Sequence, residues 1–158
     1  MSKTVSITKI LVPVDGSKPS EKAAEYATDI AKHRNAKLLV IHVMHLSSYV
    51  LAPAPIEGMS TPTMTPIPIK VSGEEKKVAE SYLNKVKEMA KTAKVAVETK
   101  IVENQPSIAH AITEIAEREG CDLIVMGTKG RTGIKKILLG SVASGVVTYA
   151  SCPVLVVR

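Results

Sequence analysis

Four stretches of the chain are apolar almost without a break: Ile10-Leu11-Val12-Pro13-Val14, Leu38 to Val43 with His42 inside it, Leu123-Ile124-Val125-Met126 and Val154-Leu155-Val156-Val157. A strand wetted on one face alternates apolar and polar residues, so strands with no alternation must be covered on both faces. Helical spacing fills the intervals between them. Ala23, Ala27, Ile30 and Ala31 recur at helical steps to about Arg34, behind the turn Asp15-Gly16-Ser17-Lys18-Pro19, in which Ser17 is a candidate N-cap. Glu74-Glu75 open a second helix with acids in its first turn and an apolar stripe of Val78, Tyr82, Val86 and Met89. Pro106 suits the first turn of a third, with Ile108, Ile112, Ile115 and Ala116 on one side and Gly120 as its stop. Ser141 to Ala150 reads as a fourth helix. One further strand, Val95 to Ile101, alternates with Glu98 and Lys100 and is therefore half covered. This alternation of elements predicts an α/β domain built on one parallel sheet with helices on both faces.

At 158 residues the chain has the size of one domain, and residues 1–158 are taken as one. With four Tyr and neither Phe nor Trp, its core must be aliphatic, and it lacks the aromatic platforms on which single-stranded nucleic acids stack. The pattern lapses between Leu46 and Ser72, where five of the nine prolines fall, so about 46–72 reads as a Pro-rich flexible flap. Ile137 to Val157 is uncharged over 21 residues, the length of a membrane span. Gly140, Ser141, Ser144, Gly145, Thr148, Ser151 and Pro153 break it into a small-residue helix and a strand, so no membrane partner is expected. The opening MSKTVSITK lacks an apolar signal core, which makes the cytoplasm the expected location. Cys121 and Cys152 are too few for a disulfide scaffold and each sits by an apolar run, as core thiols do.

The net charge of +6 is not evenly spread: from Leu123 to Arg158 there are five Lys or Arg and no carboxylate. Such a field invites an anion, although a solvated basic face has the same composition. Within it, the run Met126-Gly127-Thr128-Lys129-Gly130-Arg131 follows a strand, and Gly140-Ser141 stand at a helix start. Glycines at a strand's carboxyl end let backbone N–H groups face an anion, and the helix N-terminus adds its own N–H groups and positive dipole end. Ser141 has two candidate roles, helix cap and phosphate donor, with Lys129 and Arg131 supplying charge nearby. The motif G-x-x-x-x-G-K-[ST] occurs nowhere, the first strand leads into Asp15-Gly16-Ser17-Lys18 and not G-x-G-x-x-G, and G-x-S-x-G is missing. P-loop ATPases, dinucleotide oxidoreductases and the commonest hydrolases are thereby disfavoured.

Gly127-x2-Gly130-x9-Gly140-Ser141 resembles the nucleotide-binding signature of the universal stress protein family, in its ATP-binding branch. Lys9 to Ser17, Asp122 to Gly127 and Cys152 to Val157 are similar to other landmarks of that family, in the same order along the whole chain. The resemblance implies an open five-stranded parallel sheet of order 3-2-1-4-5, Rossmann-like and adenine-nucleotide α-hydrolase-like. That order reverses between strands one and four, where open α/β sheets bind ligands. It also implies ATP or AMP as ligand. Pro13, Val14 and Asp15 would contact adenine and ribose, and the backbone of Val43 the adenine edge. Met126 would line the wall, Gly127 and Gly130 would approach the phosphates with Arg131 beside them, and Gly140, Ser141 and Val142 would bind them. Asn104 stands at a turn position where the family often has Gly, and Asn tolerates positive φ better than most residues.

Asp15 suits three roles: holding a ribose hydroxyl, placing Mg²⁺ through water, or capping the first helix region; its place at the switch point favours the ribose. His42 and His45 alone are too few for a metal site. No general base, arginine finger or carboxylate pair is arranged near Gly127 to Ser141, so no catalytic residue is assigned. A nucleotide-binding regulatory module is the leading reading; a slow ATPase or phosphotransferase is the alternative, and nucleic-acid binding a third. The fifth strand is an apolar edge with no guarding charge before Arg158, which, with the resemblance, predicts a homodimer through the C-terminal strand.

Overall fold

The computed structural model describes residues 5–46, 49–55, 57–58, 60–68, 72–129 and 139–158. Along the chain these form β1 (Lys9–Pro13), α1 (Lys18–Arg34), β2 (Lys37–His45), β3 (Tyr49–Ala54), β4 (Thr63–Pro68), α2 (Gly73–Thr92), β5 (Val97–Gln105), α3 (Ile108–Arg118), β6 (Leu123–Gly127), α4 (Ser141–Tyr149) and β7 (Val154–Val157). The main sheet has five strands in the order β5-β2-β1-β6-β7, all parallel. Numbered within that sheet alone, this is 3-2-1-4-5, as the resemblance implied.

Alternate residues of the central strands feed two separate halves of the core. Ile10, Val12, Leu38, Val40, Leu123 and Val125 pack beneath α1 and α2, against Ala23, Ala27, Ala31, Leu83, Val86 and Ala90. Leu11, Leu39, Ile41, Ile124 and Met126 pack on the other face against Ala111, Ile112, Ile115, Ala143 and Val146 of α3 and α4. Both faces are therefore covered, which is why the strand sequences show no polar alternation. The edge strand β5 is partly exposed throughout its described side chains apart from exposed Glu98, in keeping with its alternating sequence. Small residues serve packing in α4: a Cβ on Gly145 would lie 2.8 Å from the Cβ of Ala109, so glycine there lets α4 approach α3. No helix among the described residues is long and apolar enough to cross a membrane.

Three local details differ from the sequence expectation. Pro106 is not in the first turn of α3; Ser107 is its N-cap, accepting from the His110 N–H at 3.3 Å, and proline precedes the cap. The start of α2 is a reciprocal capping box between Ser72 and Glu75, which the sequence reading did not single out. The largest difference is the segment expected as an unstructured flap. β3 and β4 pair antiparallel, from Tyr49 opposite Pro68 to Ala54 opposite Thr63. Its prolines do not prevent this because of their parity. Pro53 faces Met64, Pro66 faces Leu51 and Pro68 faces Tyr49, all at alternate positions of one ladder, where the peptide N–H would point away from the partner strand.

At the amino end of the sheet one carboxylate ties the two central strands together. Asp122 Oδ2 accepts from the Thr8 N–H at 2.7 Å, the Thr8 hydroxyl at 2.8 Å and the Lys9 N–H at 3.0 Å, while its own N–H donates to the Lys9 carbonyl at 2.9 Å. The Thr8 N–H and hydroxyl hold the carboxyl below its ordinary range. Beside it Glu119 joins Lys9 at 3.0 Å and Lys100 at 3.1 Å. Replacing Asp122 by Ala is expected to cost about 2 kcal/mol at pH 7, measured by urea unfolding. Because the folded-state pKa is depressed, that contribution is complete above the unfolded carboxyl pKa of about 4. The gap between wild type and variant should narrow as pH falls through the folded value.

Candidate functional site

The order of the sheet reverses between β1 and β6. The chain leaves β1 toward α1 on one face and leaves β6 toward α4 on the other, which opens a crevice at the carboxyl ends of these two strands.

On the β1 side, the turn after the strand is internally bonded. Asp15 Oδ1 accepts from the Ser17 N–H at 3.0 Å and the Ser17 hydroxyl at 2.5 Å, and Ser17 caps α1 by accepting from the Ser20 N–H at 3.3 Å. The second carboxylate oxygen of Asp15 has no protein partner among the described residues. Val14 is fully engaged as backbone: its N–H donates to the Ile41 carbonyl at 2.9 Å and its carbonyl receives the Nδ1 of His42 at 2.7 Å. Its side chain is buried beneath α1 and α2. Pro13, at the end of β1, is half-buried. Gly16 has φ +78°, and a Cβ there would run into the ring of Tyr82. That ring meets the His42 imidazole edge to face, centroids 5.6 Å apart. A hydrogen on Nδ1 directed at the Val14 carbonyl leaves Nε2 of the neutral His42 ring as an acceptor.

On β2, Val43 pairs with Val102, but the next pairing is His45 with Gln105, so the register steps just beyond Val43. A step of this kind frees backbone groups from the ladder. The chain continues as strand through Asn104 to Gln105, where the family resemblance implied a turn.

On the β6 side, Met126 is buried against α3 and α4, and Gly127 lies where the strand passes the start of α1. A Cβ on Gly127 would be 2.8 Å from backbone atoms of Pro19 and Ser20. Close packing thus demands this glycine whatever else it does. The ends of the following segment are drawn together: Gly140 N–H donates to the Thr128 carbonyl at 2.7 Å, and Thr128 N–H to the Val157 carbonyl at 2.8 Å. The Ser17 hydroxyl lies 3.4 Å from the Lys129 carbonyl, which joins the two sides of the crevice. Gly130 and Arg131 lie outside the described residues.

The N-cap of α4 is Gly140, not Ser141, and it makes no side-chain cap bond. Ser141 is the exposed first helical residue and Val142 is half-buried behind it. The N–H groups of Ser141, Val142 and Ala143 have no acceptor within the helix, and the positive end of its dipole stands beside the carboxyl end of β6. This end of the structure can hold an anion. Among the described residues no group of three or more His, Cys, Asp or Glu is placed to bind a metal. Burial pushes the Cys121 thiol up to about 11 and raises Cys152 too, so neither is a thiolate at neutral pH.

The expected residues Asp15, Gly127, Gly140 and Ser141 are therefore brought to one crevice, with Val43 one strand away on β2. His42 and Tyr82 were not among them. Tyr82 was visible only as one member of an apolar helix stripe, and a ring that reaches a turn 66 positions earlier leaves no local signal.

The universal stress protein family model matches residues 6–158. A universal stress protein of Methanocaldococcus jannaschii is 44% identical over 150 residues, which cover 95% of this chain and 81% of that one. One from Bacillus subtilis is 35% identical over 150 residues, 95% of this chain and 98% of its own. A solved universal stress protein in complex with cAMP aligns over 97% of this chain and 98% of its own, at 25% identity and a TM-score of 0.66.

The contact between Gly16 and Tyr82 has a measurable signature. Gly16→Ala is expected to destabilise by about 2–4 kcal/mol, overpacking adding to left-handed strain. In a Tyr82→Ala background the same change should cost only about 1–2 kcal/mol, the strain alone. Urea unfolding of the four proteins as a double-mutant cycle measures the difference.

Proposed function

The chain belongs to the universal stress protein family, and on that premise we propose that it binds an adenine nucleotide, ATP or AMP, as a regulatory module. The observation that carries this reading is the N-terminus of α4, without a side-chain cap among the described residues and held beside the carboxyl end of β6 where the sheet order reverses. Phosphate oxygens are the acceptors that the N–H groups of Ser141, Val142 and Ala143 lack. Gly127, Gly130 and Gly140 keep the backbone close to them, and Lys129 and Arg131 add positive charge. Asp15 has one carboxylate oxygen committed to Ser17; the other is assigned to a ribose hydroxyl, with Mg²⁺ through water as its further role. Pro13, with the backbone of Val14 behind it, forms the floor for adenine, Met126 its wall, and the backbone at Val43, beside the register step, its polar edge. A related structure holds cAMP, so the same fold accommodates an adenine ring and a phosphate.

We assign the site to binding and not to turnover, because Asp15 is oriented by Ser17 and has, among the described residues, no partner that would make it a base. The chain is also proposed to pair through β7. Pro153 and Val157 carbonyls accept from Ile124 of β6 and from Thr128 just beyond it, so the alternate peptide groups of Val154 and Val156 face the open edge. Leu155 and Val157 point beneath α1 and α2, Val154 and Val156 toward α3 and α4. An antiparallel copy of the same edge, about a two-fold axis, closes the assembly at two.

Ser141→Asp tests the nucleotide site. A carboxylate in the first turn favours the helix but competes with the phosphates for its N–H groups. Calorimetric titration should show wild-type binding of ATP or AMP and a loss of about tenfold or more in the variant, with thermal stability unchanged. Wild type that binds neither nucleotide, or a variant that binds as well, contradicts the assignment. Val156→Pro removes an outward donor without touching the inner ladder, and sedimentation should show dimers becoming monomers.

A further inference from the structure

Behind the Asp15–Ser17 turn, between α1 and α2, lies a cavity of about 120 Å³ that the nucleotide reading does not use. Val14 and Gly16 form its inner end, and α2 supplies Tyr82, Val86 and Met89 as walls. An apolar cavity of roughly 150 Å³ holds a benzene ring, so this one has the size of a single ring or a short branched chain.

The rim decides the charge of the guest. Glu21 and Glu25, four residues apart on α1, reach the mouth from one side and Lys85 from the other. Lys85 Nζ stands 2.7 Å from Glu21 Oε1, so these two compensate each other. Glu25 has no hydrogen bond or ion pair among the described residues. Tyr82 adds an aromatic ring, whose face attracts cations. An anionic guest would be repelled by Glu25, and a cationic head gains an ion pair with it that a neutral guest cannot make.

We propose that this cavity is a binding site for a small organic ammonium ion, its ring or branched alkyl body among Val14, Val86 and Met89 and its charged head between Glu25 and Tyr82. The site is coupled to the Asp15 turn. The Tyr82 ring occupies the space next to Gly16 and packs on His42, and His42 in turn is bonded to the Val14 carbonyl. A guest that shifts Tyr82 therefore shifts the turn that bears Asp15. Only this coupling rests on the nucleotide reading.

The test titrates benzylammonium into the isotopically labelled full chain without nucleotide and follows the amide signals of Gly16, Tyr82 and Val86. Saturable shifts are expected, with a dissociation constant of about 1 mM. Benzyl alcohol, of the same shape and no charge, should bind about fivefold more weakly. Glu25→Gln, at an exposed position, should weaken the amine by a similar factor and leave the alcohol unchanged. Met89→Trp, which fills the cavity, should abolish both while thermal melting reports an intact fold. Absence of shifts at about 10 mM amine, equal binding of amine and alcohol, or unchanged binding to Glu25→Gln would each overturn the site. Amine binding is read without nucleotide, so it stands or falls independently of the nucleotide assignment. With the amine bound, ATP affinity should change by the same factor as amine affinity changes with ATP bound; no change overturns the coupling.

Discussion

The central strand β1 is hydrogen-bonded on both edges and buried on both faces. Ile10 and Val12 face α1 and α2, Leu11 faces α3 and α4, and all three are fully buried. Each such side chain contributes about 1.5–3 kcal/mol by leaving water, and the strand has no wet face onto which it could slip. With β1 fixed between β2 and β6, its two neighbours must send their helices to opposite faces. The crevice at the carboxyl ends follows from that burial, as does the meeting of Asp15 with the start of α4.

Within the crevice the same residues answer to packing and to the proposed binding. Gly127 admits the start of α1, Gly16 admits the ring of Tyr82, and Gly140 starts α4 without a side-chain cap. A chain built this way keeps its backbone close-packed on the protein side and its N–H groups open on the solvent side. Val14 shows the converse. Both its backbone groups are spent on Ile41 and His42, so it positions the turn, and the proposed polar contacts fall to Asp15 and to the step beyond Val43.

Much of the fold was legible because its signals are local. Unbroken apolar runs marked four of the five main-sheet strands, alternation marked the half-covered edge β5, and Ser17 marked the start of α1. The candidate site was legible only as positions in the fold: glycine spacing and the change of element put Gly127 at the end of β6 and Gly140 and Ser141 at the start of α4. The capping of α4 by Gly140 was not, because Ser141 has the chemistry of a cap and only backbone geometry says which residue stands at the boundary. The β3–β4 hairpin was missed because prolines were counted and not assigned a parity. Composition cannot tell an outward N–H from one that the ladder needs.

The sequence by itself determined the class of fold, since continuous apolar strands separated by helices have few ways to hide from water other than a parallel sheet covered twice. It also determined that the end of β6 carries glycines and cations suited to an anion. Tertiary structure alone decided that Tyr82, from a helix far along the chain, closes against Gly16 and His42, and that Glu25 stands at a cavity with no partner among the described residues while Glu21 is matched by Lys85. These depend on how α1 and α2 lie across the sheet. The angle and offset of two packed helices are set by the sum of many weak contacts, and no short run of residues encodes them.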